Sequence, residues 1–317
     1  MFATAVTPKI YPAEFLREVE KGLGKRGQKT LSASCFYDAI GSALFEVITL
    51  LPEYGLTRAE SRLLAKSAKA MIREAGMPRM VVELGSGSGT KTRHLLQQCG
   101  EVTYRPIDIS TAALDGCAAA MSGLPQVTYQ PVEGSYLAGL RKALAKRDGN
   151  VLLLFLGSTI GNFSRKETQA FLRKLHAAMR PGDAFLLGAD LLKPRRILLE
   201  AYDDSAGVTA AFNKNVLARI NRELDGNFDL TQFRHVARFN EAESRIEMHL
   251  ESTRDQTVEL GALQFPIKFR QGETIWTESC HKFRAEEVCT LGREAGWQVK
   301  RQWIDREWGF SETLFLA

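Results

Sequence analysis

Five residues that read as a short strand, Met80-Val81-Val82-Glu83-Leu84, run directly into Gly85-Ser86-Gly87-Ser88-Gly89-Thr90-Lys91. A strand that ends in a glycine-rich turn and opens a helix lets a ligand approach the backbone at a helix N-terminus. The pattern then repeats. Apolar runs at 102–107, 127–132, 151–156 and 184–188 alternate with stretches of helical spacing at 91–98, 111–121, 136–145 and 165–179. The last helix is stopped by Pro181-Gly182. This alternation predicts an α/β fold with a doubly wound, mostly parallel sheet. The unbroken run 151–156 suits a strand covered on both faces.

Beyond Leu191 the alternation stops. Helical spacing occupies 197–224, and strands are expected at 236–239, 245–251, 257–260 and 273–278, an α+β pattern. A helix at 285–295 and strands at 298–304 and 312–316 then complete the open sheet. Upstream, an amphipathic stretch and a Gly/Lys/Arg turn fill 11–29, and helices at 43–51 and 58–74 flank a break at 52–56. The expected division is one domain from 59–192 plus 282–317 and a second, α+β domain from 1–58 plus 193–281. A chain of 317 residues is long enough for two domains.

Composition removes several classes. With 44% hydrophobic residues the chain is not disordered. The net charge of +5 is spread along the sequence without a basic stripe, so no nucleic-acid partner is expected. Lys193 to Arg196 reads as a solvated face. The apolar runs are too short to span a bilayer, and no signal-peptide pattern opens the chain. The five cysteines, Cys35, Cys99, Cys117, Cys280 and Cys289, show neither CxxC nor Cys/His zinc spacing. They read as reduced thiols of a cytoplasmic protein with no metal.

The glycine loop lacks the dinucleotide fingerprint, because Thr90 stands where its third glycine belongs. Asp108, 23 residues after Gly85 at the end of the next strand, is placed to bind both hydroxyls of a ribose. A second loop, Gly157-Ser158-Thr159-Ile160-Gly161-Asn162, follows the strand at 151–156. Asn162 offers a donor and an acceptor to a zwitterion, although asparagine in a turn is also an ordinary structural residue. Clusters around Tyr37, Tyr54, Tyr202, Phe212 and Glu278 have structural readings too. Tyrosines pack half-buried, Glu278 reads as a surface charge, and Cys280 as a small buried hydrophobe.

The order Glu83, Gly85, Gly87, Gly89 resembles motif I of class I S-adenosylmethionine methyltransferases. A longer ordered set is similar to the histidine-specific N-α-methyltransferases, which make trimethylhistidine (hercynine) for ergothioneine synthesis. It comprises Phe36-Tyr37-Asp38, Gly41-Ser42, Leu44-Phe45, Leu51-Pro52-Glu53-Tyr54, Thr57-Arg58-Ala59-Glu60, then 157–162, 201–215, 245–248 and 277–283. The resemblance runs from about Ser34 to the C-terminus. It implies S-adenosyl-L-methionine as cofactor, contacted by Gly85, Ser86, Gly87, Lys91 and Asp108, with Ser135 and Tyr136 near the adenine. It implies a small amino acid as substrate, its carboxylate clamped by Asn162 and Tyr202. Tyr37 and Tyr54 would line the α-amine as the catalytic pair, with Phe45 beside them. Glu278 and Cys280 would read the imidazole, and Met248 would wall the pocket. The second domain becomes the substrate-recognition domain, and a monomer is expected.

Three positions depart from the family. Gly55 replaces a second tyrosine, Cys280 replaces a serine, and Gly134-Ser135-Tyr136 replaces Gly-Asp-Phe. These leave two other readings: an N-methyltransferase for tyrosine or tryptophan, or a cofactor-binding protein without turnover. Asn162, Tyr202 and Glu278 argue against lost turnover.

Overall fold

A computed structural model describes residues 11–263 and 265–317, so the expected segment 1–58 enters from residue 11. In chain order the elements are α1 (Ala13–Leu23), β1 (Lys29–Thr30), α2 (Ala39–Leu50), α3 (Leu56–Glu74), β2 (Met80–Leu84), α4 (Arg93–Leu96), β3 (Val102–Asp108) and α5 (Thr111–Ala120). Next come β4 (Val127–Tyr129), β5 (Val132–Glu133), α6 (Tyr136–Leu144), β6 (Val151–Phe155), α7 (Arg165–Ala178), β7 (Ala184–Asp190), α8 (Arg195–Glu200) and α9 (Val208–Leu224). The chain closes with β8 (Phe233–Asn240), β9 (Arg245–Ser252), β10 (Gln256–Val258), β11 (Ile267–Phe269), β12 (Thr274–His281), α10 (Ala285–Glu294), β13 (Gln298–Asp305) and β14 (Phe310–Leu316).

These elements form two units. The larger comprises Thr49–Ala201, Phe239–Ile246 and Ser279–Ala317; of the described residues the smaller comprises 11–48, Tyr202–Arg238, 247–263 and 265–278. The larger holds an eight-stranded sheet in the order β13-β14-β7-β6-β2-β3-β4, with β5 also beside β3. Strands β2, β3, β4, β6 and β7 are parallel, whereas β14 runs antiparallel to both β7 and β13. Strand order reverses between β2 and β6, so the loops at 85–91 and 157–162 leave the same end of adjacent strands. That is the place where open α/β sheets hold ligands.

Every residue of β2, β6 and β7 is buried. One face packs Val82, Leu153, Phe155, Phe185 and Leu187 against Leu140, Phe171 and Leu172. The other packs Val81, Leu152, Leu154, Leu186 and Leu314 against Leu64, Met71 and Ile72 of α3. This double cover explains the unbroken apolar runs. Helix α7 opens with a full capping box between Ser164 and Glu167.

Some elements differ from expectation, for local reasons. The stretch 91–98 carries only the single turn α4, because the Thr92 hydroxyl is engaged by Glu83 and the flanking bonds span three residues. Strand 127–132 is split at Pro131, which has no N–H to donate. Helix 197–224 is broken into α8 and α9, where Asp204 accepts the Val208 and Thr209 N–H groups at 2.9 and 2.7 Å.

The smaller unit contains α1, α9 and strands of a sheet in the order β1-β12-β9-β8, with β10 paired to β11. Helix α9 buries Phe212, Val216, Leu217, Ile220 and Leu224, a stripe at three-to-four spacing. Among the described residues, no helix is long and apolar enough to cross a membrane, and none of the five cysteines is in a disulfide. The cluster at Lys193 to Arg196 is only partly a solvated face. Arg195 and Arg196 are exposed, but the Lys193 side chain is 6% exposed and paired with Asp190.

Candidate functional site

In the larger unit the glycine loop is pinned from β3. Gly85, Gly87 and Gly89 take φ of +71°, +50° and +66°, a region that strongly favours glycine. The Gly85 N–H donates to the Ile107 carbonyl at 2.7 Å. The Gly87 N–H donates to Asp108 Oδ2 at 3.2 Å, while Asp108 Oδ1 accepts from the Ser110 N–H at 3.0 Å. The position a Gly87 side chain would take is open, with nothing within 4 Å. Ser86 Oγ is buried without a hydrogen-bond partner among the described residues. A pinned loop with open space and an orphaned hydroxyl suits a polar ligand.

Ser135 is exposed, and its hydroxyl does not cap α6. The Tyr136 ring lies in van der Waals reach of where a Gly85 Cβ would stand, and it meets Phe155 edge-on at 5.4 Å. Burial, with Asp108 adding to it, pushes the Tyr136 hydroxyl up to about 12.

Beneath the loop lies a buried charged layer. Glu83 is 2% exposed. It accepts from Tyr104 and, at 2.8 Å, from Thr92. Burial pushes it up to about 7, although those bonds favour its charged form. Lys91 is paired with Glu60 of α3, and Glu60 also accepts the Gly157 N–H. Burial opposes the Lys91 charge, but Glu60, Glu83 and Glu312 together hold its pKa above the ordinary value. Glu312, fully buried on β14, has no hydrogen-bond partner for either carboxyl oxygen. Burial and the neighbouring Glu60 raise it well above the carboxylate range.

A carboxyl that keeps its proton only when folded stabilises the fold in acid, and that contribution fades as pH rises above its unfolded pKa. Glu312→Gln keeps a neutral amide of the same shape. The variant should therefore gain thermal stability over wild type, by a margin that widens from pH 5.5 to 8.5. Melting curves across that range check this; a margin that narrows as pH rises would contradict a protonated Glu312.

The second loop is strained. Ser158 adopts φ +56° without being glycine, and its Oγ accepts the Asp190 N–H at 2.8 Å. The side-chain amide of Asn162 makes no hydrogen bond to another described residue. Cys280 Sγ lies 3.2 Å from where a Gly161 Cβ would stand, so its thiol packs against this loop. Cys280 also accepts from Lys282 Nζ at 3.2 Å, and Lys282 pairs with Asp190 at 2.8 Å. Lys193 and Trp308 Nε1 reach Asp190 Oδ1 at 2.6 and 3.0 Å. Burial resists the Asp190 charge, but the two lysines outweigh it and hold its pKa below the ordinary value.

Tyr54 is buried in this same unit. A side chain on Gly55 would overlap the Trp308 indole. The indole of Trp308 therefore closes off the space beside Gly55.

The smaller unit carries the other candidates. Tyr37 and Phe45 meet edge-on at 5.9 Å, and each lies 6.0 Å from Phe212 of α9. Asp38 Oδ1 accepts from Gly41 N–H at 2.7 Å and Asn215 Nδ2 at 2.8 Å, fastening α2 to α9. Tyr202 is buried, and its carbonyl accepts from His235 Nε2 at 2.8 Å. That assigns the His235 proton to Nε2 and leaves Nδ1 to accept from Asn213 Nδ2 at 2.8 Å. Asn213 also donates to the His249 carbonyl at 3.1 Å and accepts from the Thr277 hydroxyl at 2.7 Å. Thr277 lies close to the Met248 carbonyl at 3.0 Å, and Met248 is buried. The Glu278 carbonyl accepts the Trp276 indole N–H at 2.8 Å. One buried amide therefore ties together the segments bearing Tyr202, Met248 and Glu278.

Tyr37, Phe45, Tyr202, Met248 and Glu278 thus belong to the smaller unit, and Tyr54, Asn162, Cys280 and the cofactor candidates to the larger. Sequence reading missed Asn213, His235, Glu60, Glu312 and the Asp190 cluster. Glu60, Phe212 and Asn213 stood in quoted motifs, but nothing local marked them as connectors.

A family model described as "Histidine-specific methyltransferase, SAM-dependent" matches residues 15–317. The chain belongs to this family. It is 42% identical over 303 residues to a Histidine N-alpha-methyltransferase of Mycolicibacterium smegmatis, covering 94% of this chain and 93% of that protein. It is 43% identical over 305 residues to the Mycobacterium tuberculosis protein of the same name, with the same coverage. Ergothioneine biosynthesis protein 1 of Neurospora crassa is 30% identical over 289 residues, covering 88% of this chain and 32% of that protein. The strand order of the larger unit is that of a class I methyltransferase.

Proposed function

We propose that this methyltransferase transfers methyl groups from S-adenosyl-L-methionine to the α-amine of L-histidine, yielding trimethylhistidine for ergothioneine synthesis in the cytoplasm. The observation that carries the reading is the similarity, over 94% of this chain, to proteins named for that reaction. The orphaned Ser86 hydroxyl and the open space at Gly87 fit the cofactor.

In this reading the cofactor supplies an electrophilic methyl on a sulfonium, and the protein positions the nucleophile. Gly85, Ser86, Gly87 and Lys91 hold its amino-acid end. Asp108 takes the ribose hydroxyls, and Ser135 and Tyr136 border the adenine. The smaller unit serves substrate recognition. Asn162, with its open amide, and Tyr202 hold the substrate carboxylate. Glu278 accepts an imidazole N–H, with Cys280 a second partner and Met248 an apolar wall. A free α-amine is largely protonated at neutral pH. It must lose that proton, to water or through Tyr37 or Tyr54, before its lone pair attacks. The faces of Tyr37, Tyr54 and Phe45 then stabilise the growing ammonium charge.

The test is incubation with the cofactor and a panel of histidine, tyrosine, tryptophan and histamine, products weighed by mass spectrometry. Histidine should gain methyl groups up to three. Histamine lacks the carboxylate that Asn162 and Tyr202 would hold, so its kcat/KM should fall by about 100-fold or more. Preference for tryptophan or tyrosine would overturn the substrate assignment. Comparable turnover of histamine would overturn the carboxylate clamp.

A further inference from the structure

Glu60 lies on α3, outside both ligand loops, yet it touches each. One carboxyl oxygen receives the Lys91 ammonium, at the end of the glycine loop. The other receives the N–H of Gly157, the first residue of the turn that carries Asn162. Glu60 is fully buried, while its partners Lys91 and Gly157 are half-buried, so the carboxylate end of both contacts is shielded from bulk water.

Its surroundings hold it in place. A Cβ on Gly188 would stand 2.7 Å from Glu60 Oε1 and 3.1 Å from Glu312 Oε1. The two carboxyls therefore face one another over a position kept clear by glycine. Two carboxyls this close, with Lys91 the cation paired to Glu60, do not both ionise. Glu60 makes the lysine and amide contacts, whereas Glu312, which makes none, is raised well above the carboxylate range by burial and by Glu60.

We propose that Glu60 is a positioning residue that couples the two loops, so that an amino-acid carboxylate arriving at Lys91 orders the turn bearing Asn162. When an anionic ligand group shares the Lys91 ammonium, Glu60 gives up part of that contact and leans on the Gly157 N–H. The turn at 157–162, already strained at Ser158, is then held in one arrangement. The inference rests on the proposed reading, with cofactor at the first loop and substrate carboxylate at the second.

Such coupling is reciprocal and is measured by four affinities. Histidine would be titrated by calorimetry into the protein with and without saturating S-adenosylhomocysteine, and the homocysteine derivative with and without histidine. Wild type should show each ligand strengthening the other by about tenfold, within the usual range for coupled sites. Glu60→Gln, which removes the charge, and Glu60→Asp, which keeps the charge but shortens the reach, should bring that factor to within about twofold of one. Glu312→Gln should retain it. A merely structural Glu60 would lower the melting temperature of its variants and leave the coupling factor unchanged, which overturns the proposal. Uncoupled binding in wild type overturns it as well, and needs no variant to fold. Failure of the chain to bind either ligand is a different result, because it removes the proposed function itself.

Discussion

Asp108→Ala should weaken S-adenosylhomocysteine binding by about 2–4 kcal/mol, or about 30- to 1,000-fold in Kd. Two losses combine in that figure. A carboxylate accepting from ribose hydroxyls makes charge-assisted bonds, each worth about 1.5–3 kcal/mol. The same carboxylate also receives the N–H groups of Gly87 and Ser110, so alanine releases the loop it pins. Asp108→Asn is the milder change. Its single amide oxygen can accept one of those N–H groups while its NH2 faces the other, so half of the loop's anchorage is kept, and an intermediate loss is expected. Calorimetric titration of both variants is the measurement. Wild-type affinity in Asp108→Ala would remove Asp108 from the cofactor site.

The largest stability effect is expected at Asn213. Its amide satisfies His235 Nδ1, the His249 carbonyl and the Thr277 hydroxyl, all buried. Asn213→Ala orphans His235 Nδ1 and removes one partner each from the His249 carbonyl and the Thr277 hydroxyl, which keeps the Met248 carbonyl. An orphaned buried polar group costs about 1–3 kcal/mol and each further lost bond about 0.5–1.5 kcal/mol, so the network should lose roughly 3 kcal/mol. At roughly 2–4 °C per kcal/mol for a chain of this size class, the melting temperature should fall by about 6–12 °C. Histidine binding should also fall, because Tyr202, Met248 and Glu278 sit on the segments the amide joins, while S-adenosylhomocysteine binding should change little. A loss confined to cofactor binding would contradict the proposed division of roles between the units.

What the sequence revealed was contiguous. Met80–Leu84, the glycines behind it and Asp108 announce themselves because strand, turn and acidic residue follow in order along the chain. The buried runs of β6 and β7 are legible for the same reason. Glu60 is the opposite case. It closes the quoted stretch Thr57-Arg58-Ala59-Glu60, but it sits in a helix full of charges, Arg58, Arg62, Lys66 and Lys69 among them, and the sequence attaches no role to it. Only the sheet topology brings it to Gly157, Lys91 and Glu312. Trp308 filling the space beside Gly55 is likewise invisible in sequence. Lys193 was misread because its partner Asp190 precedes it on a buried strand end. Short pairings such as β10 with β11, three residues each, are too brief for a period to register.

The way strands are recruited has a consequence for how the polypeptide is made. β1 pairs with β12, Lys29 facing Ile275. At synthesis rates of roughly 5–20 residues per second, the first strand waits on the order of 10–50 s for its neighbour to leave the ribosome. Phe15, Val19, Leu23 and Phe36, all buried in the finished molecule, have meanwhile no complete core to enter. The sheet waits too, since β14, the last strand in sequence, lies between β7 and β13. The open edge of β7 is therefore an unpaired strand until residues 310–316 have emerged, and a nascent chain of this kind needs protection from its own neighbours on a polysome.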